Sequence, residues 1–388
     1  MMAPHAGLER RVLAALEAMP ARIPVVIGGC GTGRTTLLHA LGDRMGRQQC
    51  QYIDVERAAS TPERFQQAVA AASPFLLNGQ SPATAEPAAS ARAAFDRTLA
   101  LMSRARAAND APATFLFDEV LELRTFESFP GLRHVLRDLL EALAASSNRF
   151  VLTTRYVARA QRLLRDATAR FEVMQIPPLA PPDVTDRLAP AFNGYEQMPT
   201  DDRDYLGRAV QALTDGRAAY VRAIGDTMAA MGRAADPVSA LTALLSADGA
   251  LNHWCRFCYE LRLHRARGYG ALKAILDVLA DEELLTLTEI SHRLHRTPGS
   301  TKDYLSWLED VDLVTSRHKR YSFTDPVLRL WVRLHCRPFP PADEDVAREV
   351  QHYALGRLPS AEAAPALAYA GVDATPDERK SWGIIEID

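Results

Sequence analysis

The stretch Gly28-Gly29-Cys30-Gly31-Thr32-Gly33-Arg34-Thr35 decides the fold, because it joins a short apolar run to a helical pattern. The run before it, Ile23 to Ile27, is continuously apolar, which predicts a buried strand. The segment after it, from Thr35 to about Met45, has the pattern of a helix. A glycine-rich turn between a buried strand and a helix lets the backbone approach a bound group closely.

The spacing of this turn predicts a phosphate site. Backbone N–H groups of the glycines can point at phosphate oxygens, and the following helix adds the positive end of its dipole. The residues fit the P-loop pattern GxxxxGK[ST], except that Arg34 stands where that pattern has lysine. A structural turn or a site for another anion is the alternative. The predicted nucleotide-binding residues are Gly28, Gly29, Cys30, Gly31, Thr32, Gly33, Arg34, Thr35 and Thr36, and the Thr35 hydroxyl is also a predicted Mg²⁺ ligand.

A second motif, Phe115-Leu116-Phe117-Asp118-Glu119, is an apolar strand that ends in two acids. One carboxylate, Asp118, can hold the water shell of Mg²⁺, and the other, Glu119, can orient or deprotonate an attacking water. Asp118 is therefore the second predicted Mg²⁺ ligand, and Glu119 is the predicted catalytic residue. The alternative is that both acids only end a strand or cap the next helix.

Further short apolar runs alternate with helical stretches, which predicts an α/β fold with a parallel sheet covered on both faces. An amphipathic helix with Leu8, Val12, Leu16 and Met19 precedes the first strand, and the other candidate strands contain Tyr52, Ile53 and Val55; Thr114 to Phe117; Phe150 to Leu152; and Phe171, Val173 and Ile176. We place a P-loop core at residues 1–178, a helical lid at 179–267, a winged helix-turn-helix at 268–336 and a tail at 337–388. Residues 78–87 predict a polar loop.

A third strand motif, Phe150-Val151-Leu152-Thr153-Thr154-Arg155, brings polar residues to the same edge of the sheet. Together the three motifs resemble the P-loop ATPases of the AAA+ and STAND branch, especially the archaeal-type ATPases with a C-terminal winged helix. "LTTR" is similar to their sensor-1 segment, and "LLRDATARFEVMQIPPL" resembles the AAA+ segment that carries an arginine finger. "LTDGRAAYVRAI" resembles the start of the lid helix, and "YSFTDPVLRLWVRL" the close of the winged helix.

The resemblance implies a P-loop NTPase core, a helical lid and a C-terminal winged-helix domain, with ATP and Mg²⁺ as cofactors. It places Arg155 at the sensor-1 position, which would read the γ-phosphate. It makes Arg170 the first choice, and Arg165 the second, for a finger that acts on a neighbouring subunit's nucleotide. Each of these arginines could instead be a surface residue of an arginine-rich chain.

The arginine at position 34 bears on hydrolysis more than on binding. Its guanidinium keeps the positive charge, but it is planar and bulkier than an ammonium. We therefore expect turnover that is slow, as in a switch.

The predicted recognition helix, Ser300 to Val314, carries several acids, which disfavour insertion into a DNA groove. Residues 268–336 hold nine Lys or Arg against ten Asp or Glu, so this unit is near neutral. The pattern favours packing or protein contact over DNA contact, with Tyr304, Trp307 and Leu308 in the core. The candidate contacts with DNA or a partner are Arg317, His318, Lys319 and Arg320.

Composition narrows the remaining classes. The whole chain has 45 basic and 48 acidic residues, so its net charge of −3 excludes a general basic field for DNA. No apolar run is long enough to cross a membrane, and no apolar segment follows the first charges as in a secretory signal. Five cysteines, an odd number, favour a reducing, cytoplasmic setting.

A zinc-like spacing occurs at His253, Cys255, Cys258 and His264. The absence of a turn residue between them favours one buried helix instead, with Leu251, Trp254, Cys258 and Leu261 along one stripe.

These observations predict an ATP-binding switch whose nucleotide state controls assembly with itself or with a protein partner. One alternative is an initiator-like or transposition-helper ATPase that places its winged helix on DNA. Another is a scaffold that binds nucleotide without turnover and docks a partner through the last six residues, "GIIEID".

Overall fold

The computed structural model describes residues 6–76, 88–107, 110–165, 167–189, 198–232, 236–264 and 268–359. The predicted loop at 78–87 and the "GIIEID" segment lie outside these residues. Within them, no helix combines the length and apolar character needed to cross a membrane.

The first half of the chain forms a five-stranded parallel sheet with the strand order β2-β3-β4-β1-β5. The strands are β1 (Ile23–Ile27), β2 (Cys50–Asp54), β3 (Thr114–Asp118), β4 (Arg149–Thr154) and β5 (Phe171–Gln175). Ile27 is level with Thr154, and Asp54 is level with Asp118. All carboxyl ends therefore meet at one edge, where the motifs predicted from the sequence converge. The predicted α/β fold with a parallel sheet is confirmed.

Helices cover both faces of this sheet, because successive side chains of each strand point to opposite faces. The helices of this half are α1 (Ala6–Glu17), α2 (Arg34–Met45), α3 (Val55–Ala58), α4 (Pro62–Ala71), α5 (Ala91–Arg104), α6 (Val135–Ala145) and α7 (Val157–Leu164). On one face α1 and α2 pack on Val26, Leu116 and Val151. On the other, Phe115 and Phe150 stack at 5.7 Å between ring centroids. Each such buried ring stabilises the fold by roughly 2–3 kcal/mol.

Two details of the predicted pattern are wrong. Met19 lies beyond the end of α1 and is 96% exposed, because the helix stops at Glu17. Val55 belongs to the first turn of α3, since the Asp54 side chain accepts a hydrogen bond from the Arg57 N–H and ends β2 there.

The next part of the described chain is helical, as predicted. It consists of α8 (Pro181–Leu188), α9 (Thr200–Thr214), α10 (Ala218–Met231), α11 (Pro237–Leu245) and α12 (Ala250–His264). The zinc-like segment lies in α12, a single continuous helix in which Cys255 and Cys258 are buried. Trp254 is 43% exposed, so its place in the predicted buried stripe is wrong. Among the described residues no group of three His, Cys, Asp or Glu could hold a metal ion.

The last described part has the element order expected from the sequence: helix, short helix, helix and β-ribbon. It comprises α13 (Tyr269–Asp281), β6 (Leu285–Thr286), α14 (Leu287–Arg293), α15 (Pro298–Asp310), β7 (Val314–Arg317), β8 (Arg320–Phe323), α16 (Pro326–His335) and α17 (Asp343–Leu355). The three strands form an antiparallel sheet in the order β6-β8-β7. Leu308 is fully buried, and Tyr304 and Trp307 pack on the same core. We call residues 269–335 the C-terminal unit.

Helix α15 ends four residues earlier than predicted, at Asp310. The Asp312 and Leu313 N–H groups donate to the Glu309 and Leu308 carbonyls at 3.1 and 3.0 Å, which is a Schellman turn. Asp312 takes the left-handed position of this turn, with φ of 57°, where glycine is usual. A charged side chain is thus held at a point of the backbone that most sequences give to glycine.

Candidate nucleotide site

The loop of residues 28–33 follows β1 and leads into α2 at the carboxyl edge of the sheet. Gly31 and Gly33 have φ of 76° and 101°, a backbone region that favours glycine. A Cβ at Gly28 would lie 2.8 Å from the Thr32 hydroxyl oxygen, and one at Gly29 would lie 2.8 Å from Arg217 Nη1. The loop therefore needs its glycines both for its turn and for the close approach of a side chain from the helical part.

Thr35 and Asp118 meet as predicted, although they are 83 residues apart. The Thr35 hydroxyl donates to Asp118 Oδ2 at 2.6 Å, and the Tyr52 hydroxyl donates to the same oxygen at 3.0 Å. The Thr153 hydroxyl donates to Oδ1 at 2.6 Å. Burial and the nearby Asp118 raise the pKa of Tyr52, so its phenol keeps the proton that it donates. Hydroxyl and carboxylate oxygens are the donors that Mg²⁺ prefers, so this pair fits the predicted ion.

The Arg34 side chain is buried and folds back onto the backbone of its own loop. Its Nη1 contacts the carbonyl oxygens of Gly28 and Gly29, and its Nη2 donates to Glu119 Oε1 at 2.6 Å. A single ammonium could not span these three acceptors in the same way, because only the planar guanidinium offers several donors in a fixed fork. The arginine that departs from the usual pattern therefore connects the loop directly to Glu119, the predicted catalytic residue.

Glu119 lies between two arginines. Its Oε2 accepts from the Arg155 backbone N–H at 3.0 Å and is 3.2 Å from Arg155 Nε. Burial opposes ionisation, but the charges of Arg34 and Arg155 outweigh it and lower the pKa of Glu119. The residue also has φ of 58°, which is uncommon outside glycine. Glu119 is thus an ionised carboxylate whose two oxygens are both engaged by arginines.

Arg155 lies at the sheet edge, beside the loop, where the resemblance places a γ-phosphate sensor. Burial opposes its charge, yet the charges of Glu119 and the other nearby groups raise the pKa of Arg155. Its Nη2 contacts the Glu56 carboxylate at the start of α3. The guanidinium is therefore fixed on the side of the loop that faces Glu119.

Residues from beyond the sheet close over the loop, and the sequence did not single them out. Arg217 donates from Nη1 to the Cys30 carbonyl at 2.8 Å, and the Ala219 N–H donates to the Gly31 carbonyl at 2.9 Å. Arg262 donates from Nη1 to the Asp312 carbonyl at 2.8 Å. Arg217 lies within the quoted "LTDGRAAY" segment, so a weak signal existed for it. Arg262 had none, since it is one more arginine of a helix.

Asp312 reaches the loop from the turn after α15. A Cβ on Gly29 would lie 3.0 Å from its Oδ2, so the carboxyl group rests against the loop. Burial raises the pKa of Asp312 to about 6, although Arg262 and Arg217 act in the opposite direction. An acid at this point occupies space beside the backbone that a phosphate would approach.

The two finger candidates lie outside this constellation. Arg170 precedes β5, at the amino edge of the sheet, and its Nη1 donates to the carbonyls of Ala144 and Ser146, each at 2.6 Å. Its Nε donates to the Ala21 carbonyl at 2.9 Å. In this chain Arg170 caps the end of α6, so a role as a finger requires these hydrogen bonds to break. Arg165 is exposed just after α7. The finger remains a prediction, and Arg165 is the freer candidate.

The basic ribbon forms a β-hairpin tip. His318 and Lys319 have φ of 51° and 63° and make the two-residue turn between β7 and β8. Arg317 and Arg320 flank it, and all four side chains are exposed. Arg320 also donates to the Leu284 carbonyl at 2.7 Å. The hairpin tip is thus exposed, and its contact with DNA or a partner stays a prediction.

The glycine loop after β1, the acids after β3 and the strand order are together those of a P-loop NTPase fold. The structure resembles the Walker-type ATPase PABY2304 of Pyrococcus abyssi, with a TM-score of 0.63 and 17% identity, over 86% of this chain and 96% of that chain. This likeness confirms the predicted α/β fold of the P-loop kind.

Two further solved structures were found at lower similarity. The Orc1 protein of Aeropyrum pernix in complex with DNA gives a TM-score of 0.43 at 17% identity, over 90% of this chain and 93% of that one. The RuvB Holliday junction branch migration motor of Thermotoga maritima gives 0.41 at 12% identity, over 82% and 92%. Neither is similar enough to carry an argument about this chain. No protein-family model and no curated protein matches the sequence.

Proposed function

We propose that this protein is a STAND-type ATP switch: it binds Mg-ATP at the loop of residues 28–35, hydrolyses it slowly and changes its assembly with itself or a partner. The observation that carries the proposal is that the loop is held by the helical part and the C-terminal unit together. Arg217 illustrates this, because one nitrogen donates to the Cys30 carbonyl and the other to the Thr324 carbonyl at 2.5 Å. A phosphate that enters the loop has to change these contacts.

The chain's own groups supply the chemistry. Thr35 and Asp118 would hold Mg²⁺, which would offset the negative charge of the phosphates. Arg34 would leave Glu119 for a phosphate oxygen, and Glu119 would then accept a proton from the attacking water. Arg155 would keep Glu119 oriented and contact the γ-phosphate. Breaking a buried ion pair is costly, about 3–5 kcal/mol when one partner is lost outright, so the exchange of Arg34 between two anions slows the cycle.

The C-terminal unit would act by packing on the core. Its predicted recognition helix, α15, faces α7: Asp310 contacts Arg162 and lies 3.8 Å from Arg159. Arg217 and Tyr220 of the helical part approach Asp325 at 3.6 and 2.7 Å. Asp310 and Asp325, two of the acids that make this unit unfavourable for DNA, thus pair with arginines of the core and of the lid. This supports regulation by packing over insertion of α15 into DNA.

Hydrogen exchange measured by mass spectrometry tests the switch. We expect Mg-ATP to slow exchange in the loop of residues 28–35 and to raise it about tenfold in 308–316 and 322–326, because Asp312 and Thr324 lose their contacts. Arg217→Ala should show the raised exchange without nucleotide. Arg222→Ala is the matched control, because Arg222 lies in α10, the helix that Arg217 precedes, and is exposed, with an ion pair to Asp226 at 3.5 Å. Slower exchange in the loop with no change in the C-terminal unit would contradict the switch and leave a nucleotide-binding scaffold.

The exposed hairpin tip favours a second candidate, an ATPase that acts on DNA. Replacing Arg317, Lys319 and Arg320 by glutamine should leave the ATP response intact and change affinity for a fluorescent DNA duplex less than about threefold, because α15 is used in packing. Fluorescence anisotropy at low and physiological salt measures this. A loss of tenfold or more in a strongly salt-dependent affinity would instead establish the DNA function.

A further inference from the structure

Cys30, in the loop of residues 28–33, faces α12 of the helical part. Cys258 of α12 lies beside Cys30, close enough for each thiol to shift the pKa of the other. Arg262, one helical turn further along α12, contacts the same sulfur through Nη2. The Arg262 side chain is buried, and its Nε has no hydrogen-bond partner among the described residues. A second thiol and a buried cation therefore converge on the one cysteine of the phosphate loop.

The two sulfurs have complementary protonation. The interaction with Cys258 lowers the pKa of Cys30 well below its usual value; burial opposes this, and the charges of Arg262, Arg34 and Arg155 add to it. The same interaction and burial raise the pKa of Cys258. Cys30 therefore ionises more readily than Cys258, which is the order expected of an attacking and a resolving cysteine.

The other cysteines of the chain differ from this pair. Burial raises the pKa of Cys50, of Cys255 and of Cys336, the last to about 11. Cys255, one turn before Cys258, is fully buried, whereas Cys30 and Cys258 retain 7% and 8% of their surface. A small oxidant can therefore reach Cys30, whose pKa is lowered. At Cys50, Cys255 and Cys336 the raised pKa disfavours the thiolate that an oxidant needs.

We propose that Cys30 and Cys258 are a redox-active pair, which a peroxide converts into a reversible disulfide that locks α12 onto the phosphate loop. The Cys30 thiolate attacks one peroxide oxygen, the O–O bond breaks, and Cys30 becomes a sulfenic acid as hydroxide leaves. The Cys258 sulfur then attacks the sulfenic sulfur, the S–O bond breaks, and a second hydroxide leaves. One of the two hydroxides takes the Cys258 proton and the other a proton from solvent, so two thiols lose two electrons and hydrogen peroxide becomes two waters.

The disulfide would prevent nucleotide entry, a consequence that rests on the proposed function. The bond joins the third residue of the phosphate loop to the helical part, next to the Arg217 and Ala219 contacts with the same loop. The loop can then no longer move its N–H groups toward a phosphate. The bond also removes the negative charge at Cys30 that faces Arg262. A dithiol reductant would restore both the charge and the movement.

A peptide map of the full chain tests the bond directly. The reduced protein is treated with hydrogen peroxide and digested with trypsin without reduction. Trypsin separates Cys255 from Cys258 at Arg256, so the expected product is IPVVIGGCGTGR (23–34) linked to FCYELR (257–262), two hydrogen atoms lighter than the two peptides together. Dithiothreitol should remove it, and Cys258→Ser should abolish it while Cys336→Ser keeps it. Oxidation that reaches other cysteines first, or leaves Cys30 unlinked, would overturn the proposal.

Two further readouts test the lock. Oxidation should slow hydrogen exchange at least about tenfold in 23–34 and 250–264 of the wild type, and not in Cys258→Ser. Unchanged exchange in the linked chain would overturn the lock.

Oxidised wild type should also lose at least tenfold in affinity for a fluorescent ATP analogue, while oxidised Cys258→Ser binds as its reduced form does. A linked chain that binds the analogue as tightly as the reduced chain would overturn the lock too. If the reduced protein does not bind the analogue at all, the proposed function fails, while the peptide map and exchange still decide the disulfide.

Discussion

Replacing Glu119 by glutamine is expected to reduce steady-state Mg-ATP turnover at least about 100-fold while nucleotide stays bound, because general-base catalysis contributes about 10²–10⁴ in rate. Glutamine keeps an oxygen that can accept from the Arg155 N–H, so the local structure should persist. It cannot accept a proton from water. Phosphate release gives the rate, and titration with a fluorescent ATP analogue gives the affinity.

Glu127→Gln is the matched control for this change. Glu127 lies in the segment of residues 120–128 that follows Glu119, and its side chain is 37% exposed beside Arg124. Turnover by the Glu127→Gln variant should equal that of the wild type. Equal turnover in Glu119→Gln and wild type would remove Glu119 from the reaction. Absence of turnover in the wild type, with ATP bound, would leave a switch that awaits an activator or a scaffold.

Replacing Arg34 by lysine is expected to keep nucleotide binding and to raise turnover by about 10- to 100-fold. In the wild type the guanidinium holds Glu119 and the Gly28 and Gly29 carbonyls together. An ammonium keeps the charge as a compact point, so it can contact a phosphate without spanning the same acceptors. A displacement of about 1 Å at a reacting group can change the rate roughly a hundredfold. The same two assays measure the effect.

Arg44→Lys is the control for this variant, because Arg44 lies on the same helix and its side chain is 59% exposed. It should behave as the wild type in both assays. If Arg34→Lys abolished nucleotide binding, the role given to position 34 would be wrong. Lower turnover with normal affinity would mean that the guanidinium fork itself takes part in the reaction.

The sequence predicted the features that depend on local chemistry and on strand direction. The turn at Gly31 and Gly33 follows from glycine's freedom at positive φ, and Thr35 meets Asp118 because two parallel strands end at one edge. These inferences need only the local sequence pattern of each strand and turn and the direction in which the strands run. The fold was therefore predictable, together with the half of the candidate site that lies on the sheet.

The other half of the site depends on how distant helices pack. Arg217, Arg262 and Asp312 reach the loop only because the helical part and the C-terminal unit fold over it, and no spacing in the sequence expresses that. The position of Asp312 was harder still to predict, since a Schellman turn that lacks glycine has no sequence signal. Arg170 shows a related limit: in the sequence an arginine that caps a helix end cannot be distinguished from one with an unengaged side chain.

The guanidinium at position 34 also limits how the cell could silence this loop. A lysine there would be an amine, which acetylation converts into a neutral group. Arg34 offers no amine, and the first lysine of the chain is Lys273, far beyond the sheet. Acyl transfer therefore cannot cancel the loop's charge in this protein. The charge at position 34 is therefore open to control by moving or covering the guanidinium, and not by acylation.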